Sequence, residues 1–207
     1  MDRMIISYMT LRKAVGILGM SLGFIVVLGG FFFGSGEVEG SISEYYLTNM
    51  RDIFVGVLFI SGAFLLVYKG YDKVDNIITN ITGISAIGVA IFPVEVTNPN
   101  NVFNLNQSWT ETLHLISAIF FFVALSYMSY FQFTKTSGEL TKQKKKRNLV
   151  YRICAFVILG NLVIGAFHML FNFFDGVPYL ITIIEIVMLL AFGVSWLVKG
   201  EGLLKAE

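Results

Sequence analysis

SISEYYLTNMRD, residues 41–52, lies between two long apolar runs, and Arg51 and Asp52 stand at the mouth of the second. The run before it, residues 14–33, would cover about one bilayer thickness as a helix. It ends in FFFGSGE, not in a small-x-small cleavage site, so an uncleaved first span is expected. Within it Gly16, Gly19 and Gly23 leave room for a neighbouring helix to pack closely. The run after the stretch covers about 52–68 and ends at Lys69.

Working outward, the same alternation continues. Apolar segments follow at about 77–93, stopped by Pro93, and at about 112–133, 149–172 and 179–198. The segments between them are KGYDKVDN (69–76), an Asn-rich loop (94–111), KTSGELTKQKKKRN (135–148) and the tight turn FFDGVP (173–178). Hydrophobic residues make up 56% of the 207 and charged residues 14%, against roughly 45–50% and about 25% in soluble domains. With 20 Phe, that much apolar surface cannot be hidden in one soluble core, and lipid must serve as solvent. The expected fold is all-α: a polytopic membrane protein, one transmembrane domain over 1–207, built as a six-helix bundle. The single Cys154 lies in an apolar run and has no partner for an internal disulfide.

Net charge is +1, so the information lies in how charge is distributed. Of 15 Lys and Arg, three precede the first span, two sit in 69–76, seven in 135–152 and two in the tail. Arg51 alone falls on the other side. Positive residues mark the cytoplasmic side, which places both termini in the cytoplasm. The short loops and compact tail suggest a bacterial inner membrane. The basic loop 135–148 sets topology and could also hold anionic lipid headgroups. One short basic cluster without a folded partner domain argues against nucleic acid.

Ionisable residues inside spans mark candidate sites. Asp52, His114, His168 and Glu185 come from four different segments, yet all fall in the outer third. Asn161, Gly165, His168 and Asn172 form one helical stripe; His114 and Ser117, and Thr182 and Glu185, are i, i+3 pairs. These stripes are opposed by Phe, Leu, Ile and Val, so the polar faces are expected to turn inward. One cavity lined by Asp52, His114, His168 and Glu185 is therefore expected, with Arg51 at its rim and His168 as the partner of Glu185. Each residue also has a plainer reading. Arg51 and Asp52 would mark the interface, His114 a helix start, His168 and Asn172 a structural pair, and Glu185 a structural ion pair. Asp72, Asp75, Asn76 and Asn80 near Lys69 and Lys73 read as helix capping.

Three kinds of site fit the cluster. The first is a metal-free pocket for a lipid headgroup, with Arg51 pairing a phosphate. The second is a zinc centre using His114, His168 and Asp52, its bound water the nucleophile; no HExxH accompanies it. A haem held by the two histidines is the third.

Six spans with cytoplasmic termini, Ser41-Ile42-Ser43 closing the first outer loop and His114 opening the fourth span together form a family-like layout. It resembles the DRAM-type family of damage-regulated autophagy modulators and its small bacterial relatives. That resemblance implies a membrane-lipid or trafficking role. A fainter similarity is to transmembrane hydrolases of the alkaline-ceramidase and adiponectin-receptor type. It implies zinc-dependent lipid hydrolysis with Ser43, Asp52, His114 and His168 at one membrane face. Those enzymes have a seven-helix core and a late paired-His motif, which this chain lacks. A transporter or channel vestibule is the remaining class, though no charged stripe continues to the cytoplasmic side and no broken helix pair is evident.

Overall fold

A computed structural model describes residues 8–94, 108–136 and 138–204. Each of the six apolar runs is a helix: α1 (Tyr8–Phe33), α2 (Arg51–Val67), α3 (Lys73–Ile91), α4 (Ser108–Tyr127), α5 (Lys142–Phe171) and α6 (Leu180–Lys199). Five-residue π-helical turns rarely stand alone, and the one at Met128–Gln132 simply prolongs α4. No strand occurs among the described residues. Helices α1 and α5 begin well before their apolar runs because nothing in the basic segments ahead of them breaks a helix. Thr141 caps α5 by accepting from Lys144 N.

Among the described residues five helices are long and apolar enough to cross a membrane: α1, α3, α4 with its π turn, α5 and α6. Their outward faces agree with that. Along α5, Leu149, Ile153, Phe156, Val163 and Leu170 are all more than half exposed, a surface that water would not tolerate but lipid would. The chain is thus an integral membrane protein by composition and by surface.

The helices form a closed ring. Helix α1 packs along α6 and α2, α2 along α3, α3 along α4, α4 along α5 and α5 along α6. Two seams depend on glycine. A Cβ on Gly193 would lie 2.6 Å from the Gly16 carbonyl, and one on Gly83 would lie 2.8 Å from the Gly62 carbonyl. The α1–α6 and α2–α3 backbones meet there, as close-packed membrane helices do.

Between the two ends of the ring lies a packed layer that includes Leu22, Phe54, Leu58, Phe121, Leu189 and Phe192. At one end, residues 37–50 fold back into the ring. Ser41 and Glu44 cap each other's turn, since Glu44 N donates to Ser41 Oγ (3.2 Å) and Ser41 Oγ donates to Glu44 Oε1 (3.3 Å). A short 3-10 helix, Ser43–Leu47, follows with Tyr45, Tyr46 and Leu47 buried. At the other end, Lys135 Nζ clasps Asp72 (2.8 Å) and buried Asp75 (2.5 Å). Asp72 also caps α3 by accepting from Asp75 N. Hydrogen bonds from Lys135 hold the Asp72 carboxyl below its ordinary range, and the two carboxylates hold the Lys135 ammonium above its own.

Candidate functional site

The polar centre at the loop end starts from a proline. Pro93 ends α3, and the residue before a proline is pushed out of helical geometry. Phe92 is extended (φ −86°, ψ 118°), which leaves its carbonyl free to serve another partner. That partner is His114, one turn or so into α4, whose Nδ1 lies 2.7 Å from Phe92 O. A carbonyl only accepts, so Nδ1 carries a proton, and neutral His114 presents an unprotonated Nε2. Nε2 faces Ser43 Oγ at 2.9 Å. Ser43 Oγ also lies 3.2 Å from Glu185 Oε1, and Glu185 Oε2 accepts from Ile42 N at 2.6 Å.

Helices α4 and α6 and the folded-back loop therefore supply one residue each to a linear array, His114–Ser43–Glu185. A serine hydroxyl has one proton to give. With neutral His114 and ionised Glu185, that proton could satisfy only one neighbour. Every contact is satisfied when one further proton is held within the array, either on the Glu185 carboxyl or on His114 Nε2. The array is thus a neutral unit, as a membrane interior favours. Thr182, one turn before Glu185, donates to Glu39 O at 2.7 Å and ties the loop to α6.

Ser43, His114 and Glu185 line the polar floor of a cleft of about 470 Å³. Leu115, Ile116, Ala118 and Ile119 of α4, Met169 of α5 and Ile181 of α6 form apolar walls. Glu44 and Glu111 also line it, and no Lys or Arg does among the described residues. The cleft has the form of an amphiphile site: long apolar walls with a few converging polar groups.

The other expected members stand elsewhere. Asp52 is exposed in the first turn of α2, where a carboxylate suits the positive end of the helix dipole. Arg51 stacks on the Tyr46 ring at 4.5 Å, donates to Tyr46 Oη at 2.8 Å, and does not line the cleft. Asn172 is the left-handed cap of α5 (φ 50°), a conformation asparagine tolerates well, and it is exposed. His168, half-buried, has its ring beside Phe174, with centroids 6.5 Å apart, and its Nδ1 is buried without a partner. It is not the partner of Glu185, whose carboxylate is taken by Ile42 and Ser43. His114, His168 and Asp52 do not converge, and no three His, Cys, Asp or Glu side chains among the described residues are placed to hold a metal.

Two participants escaped sequence reasoning because they are backbone groups, the Phe92 carbonyl and the Ile42 amide. Pro93 signalled the first. The S-x-x-E box at 41–44 signalled a fixed turn at the second. Comparison with protein-family models, with curated proteins and with solved structures finds no match.

Proposed function

We propose that the chain crosses a bacterial inner membrane six times with both termini in the cytoplasm, and that its outer cleft binds one amphiphile. The bound head is an uncharged or cationic hydrogen-bonding group, such as a hydroxyl or amine. Support for six spans comes from α2, which at 17 residues is about 26 Å long and lies in the ring between α1 and α3. Support for the orientation is the placing of 14 of 15 bases in N-terminal, 69–76, 135–152 and tail segments. A Leu140→Cys, Cys154→Ala double variant should resist an impermeant maleimide added to intact cells. Labelling from outside would overturn the orientation.

The observation that carries the ligand reading is the Ser43 hydroxyl held between His114 and Glu185 at the polar floor of the apolar cleft. Among the described residues three carboxyl groups line that cleft and Arg51 does not, which turns the reading away from the phosphate headgroup that Arg51 suggested in the sequence. A role in membrane-lipid handling is also what the DRAM-type layout implies.

Full-length protein in nanodiscs tests this with two photoactivatable lipids of the same acyl chain, a monoacylglycerol and a phosphatidic acid. The monoacylglycerol should crosslink to residues 111–119 about tenfold better, a preference near 1.4 kcal/mol. Ile119→Trp, which fills the cleft, should abolish that crosslink. Equal labelling of 111–119 by phosphatidic acid, or no effect of Ile119→Trp, would sink the proposal. One observation favours a second reading, serine acyl transfer. The Phe92 carbonyl fixes the His114 tautomer so that Nε2 faces Ser43 Oγ as a base faces a nucleophile. In that case a fluorophosphonate would label Ser43 in the same preparation.

A further inference from the structure

The opposite end of the ring holds a second cavity, of about 530 Å³, where α1, α5, α6, the α2–α3 turn and the segment between α4 and α5 meet. Among the described residues five basic side chains line it, Arg12, Lys135, Lys144, Arg147 and Lys199, with Glu201 as the one acid. Their states differ. Lys135 is committed to Asp72 and Asp75. Lys144 Nζ donates to Phe133 O at 2.9 Å. Arg147 Nη2 donates to Val198 O at 3.0 Å, and its Nη1 is a loose 3.6 Å from Glu201.

Lys199 is the residue that bulk topology signals do not explain. It is only 5% exposed. Its ammonium lies over the Tyr71 and Phe133 rings, at 5.1 and 5.4 Å, and no oxygen accepts from it among the described residues. Arg12, Lys144 and Arg147 line the same cavity, and together their charges outweigh that of Asp75 on it. The Nε atoms of Arg12 and Arg147 are also buried without an acceptor. A buried cation among cations, with donors left over, is costly unless the ammonium gives up its proton or an anion completes the site. Lys144 and Arg147 are neighbours on one face of α5, whereas Lys145 and Lys146 point outward and are exposed. The cavity is therefore a built site and not merely the inner side of a basic loop.

We propose that this cavity binds a phosphoryl group, with Lys199, Arg147 and the Arg12 Nε–H as its donors. A phosphate offers several acceptor oxygens and two negative charges, which suits a fork of guanidinium donors beside an ammonium. The group could be carried by a membrane lipid or by a soluble phosphate ester, and basic pockets between spans on this side serve lipid headgroups elsewhere.

Full-length protein is tested in two arms. In the first, native mass spectrometry follows retained lipid from nanodiscs of phosphatidylcholine with or without phosphatidic acid. In the second, inorganic pyrophosphate is titrated in detergent and the melting midpoint followed. A lipid-borne group gives selective retention of phosphatidic acid, and a soluble one gives a pyrophosphate-dependent rise in midpoint. Lys199→Met should weaken whichever signal appears by about tenfold or more, the loss expected for one charged hydrogen-bond donor. Its own fold should survive, since it removes a buried like charge. Arg147→Met, which removes another of the proposed donors, serves as the second variant if it does not. The exposed pair Lys145→Met/Lys146→Met should leave binding unchanged. Silence in both arms, or equal losses in the exposed pair and in Lys199→Met, would overturn the site.

Discussion

Gly193→Val is expected to lower unfolding stability by about 3 kcal/mol or more, the upper range for overpacking a close-fitted position. A Cβ there would stand 2.6 Å from the Gly16 carbonyl and 2.5 Å from Met20 Cβ. The first of these is backbone and cannot rotate away, so α1 and α6 must separate. In lipid no hydrophobic force draws them together again, because the tails solvate the exposed faces as well as a neighbouring helix would. Denaturation in detergent, followed by the fluorescence of Trp196 one turn further along α6, reads the loss. Gly160→Val is the control. Gly160 is an exposed helical glycine with nothing within 4 Å of the added Cβ. Its variant should stay within about 0.5 kcal/mol of the parent. A Gly193→Val protein that melts with the parent would show that the α1–α6 seam is not what fixes the ring. The effect also reaches the polar array, since Glu185 sits two turns from Gly193 on the same helix and takes its place in the array from that seam.

The glycines of α1 were legible because their spacing is a property of one helix. So were all six helices, whose apolar runs predict their positions. Their ends were legible where a polar residue or Pro93 stops them, and less so at the basic starts of α1 and α5. That His114 and Glu185 belong to one end of the bundle could be read in the same way, by counting from the end of each run. Rotation about the helix axis and the path of residues 37–50 could not. Asp52 and His168 also lie near the ends of their helices, yet Asp52 is exposed and the His168 ring packs beside Phe174. Ser43 became the link between the other two only because its loop turns into the ring. The run Tyr45-Tyr46-Leu47, too apolar for a solvent loop, is the trace of that turn in the sequence, and all three residues are buried. The five bases around the second cavity were visible as a charge pattern. Which of them lie inside was decided by helix phase, Lys144 and Arg147 against Lys145 and Lys146.

His114→Ala should cost about 2–4 kcal/mol and, on the proposed reading, remove the monoacylglycerol crosslink from the cleft at the loop end. The ring is 4% exposed, so truncation leaves a cavity. It also leaves the Phe92 carbonyl without its His114 partner and Ser43 without a neighbour on one side, losses that water entering from the cleft offsets. Glu185 divides the possibilities further. In Glu185→Gln the amide N–H can donate to Ser43 Oγ while the amide oxygen accepts from Ile42 N, and the Ser43 proton goes to His114 Nε2. Every contact survives, because the amide supplies the proton that the array otherwise has to hold. That variant should unfold within about 1 kcal/mol of the parent. Glu185→Leu, close in size but without polar atoms, strands the Ile42 amide and one side of Ser43, and should lose about 1–3 kcal/mol. Unfolding midpoints of the three variants, measured with the monoacylglycerol crosslink on the same samples, separate structure from binding. If Glu185→Gln falls as far as Glu185→Leu, the array depends on the carboxylate's charge and not on a shared proton, and the neutral unit described here is wrong.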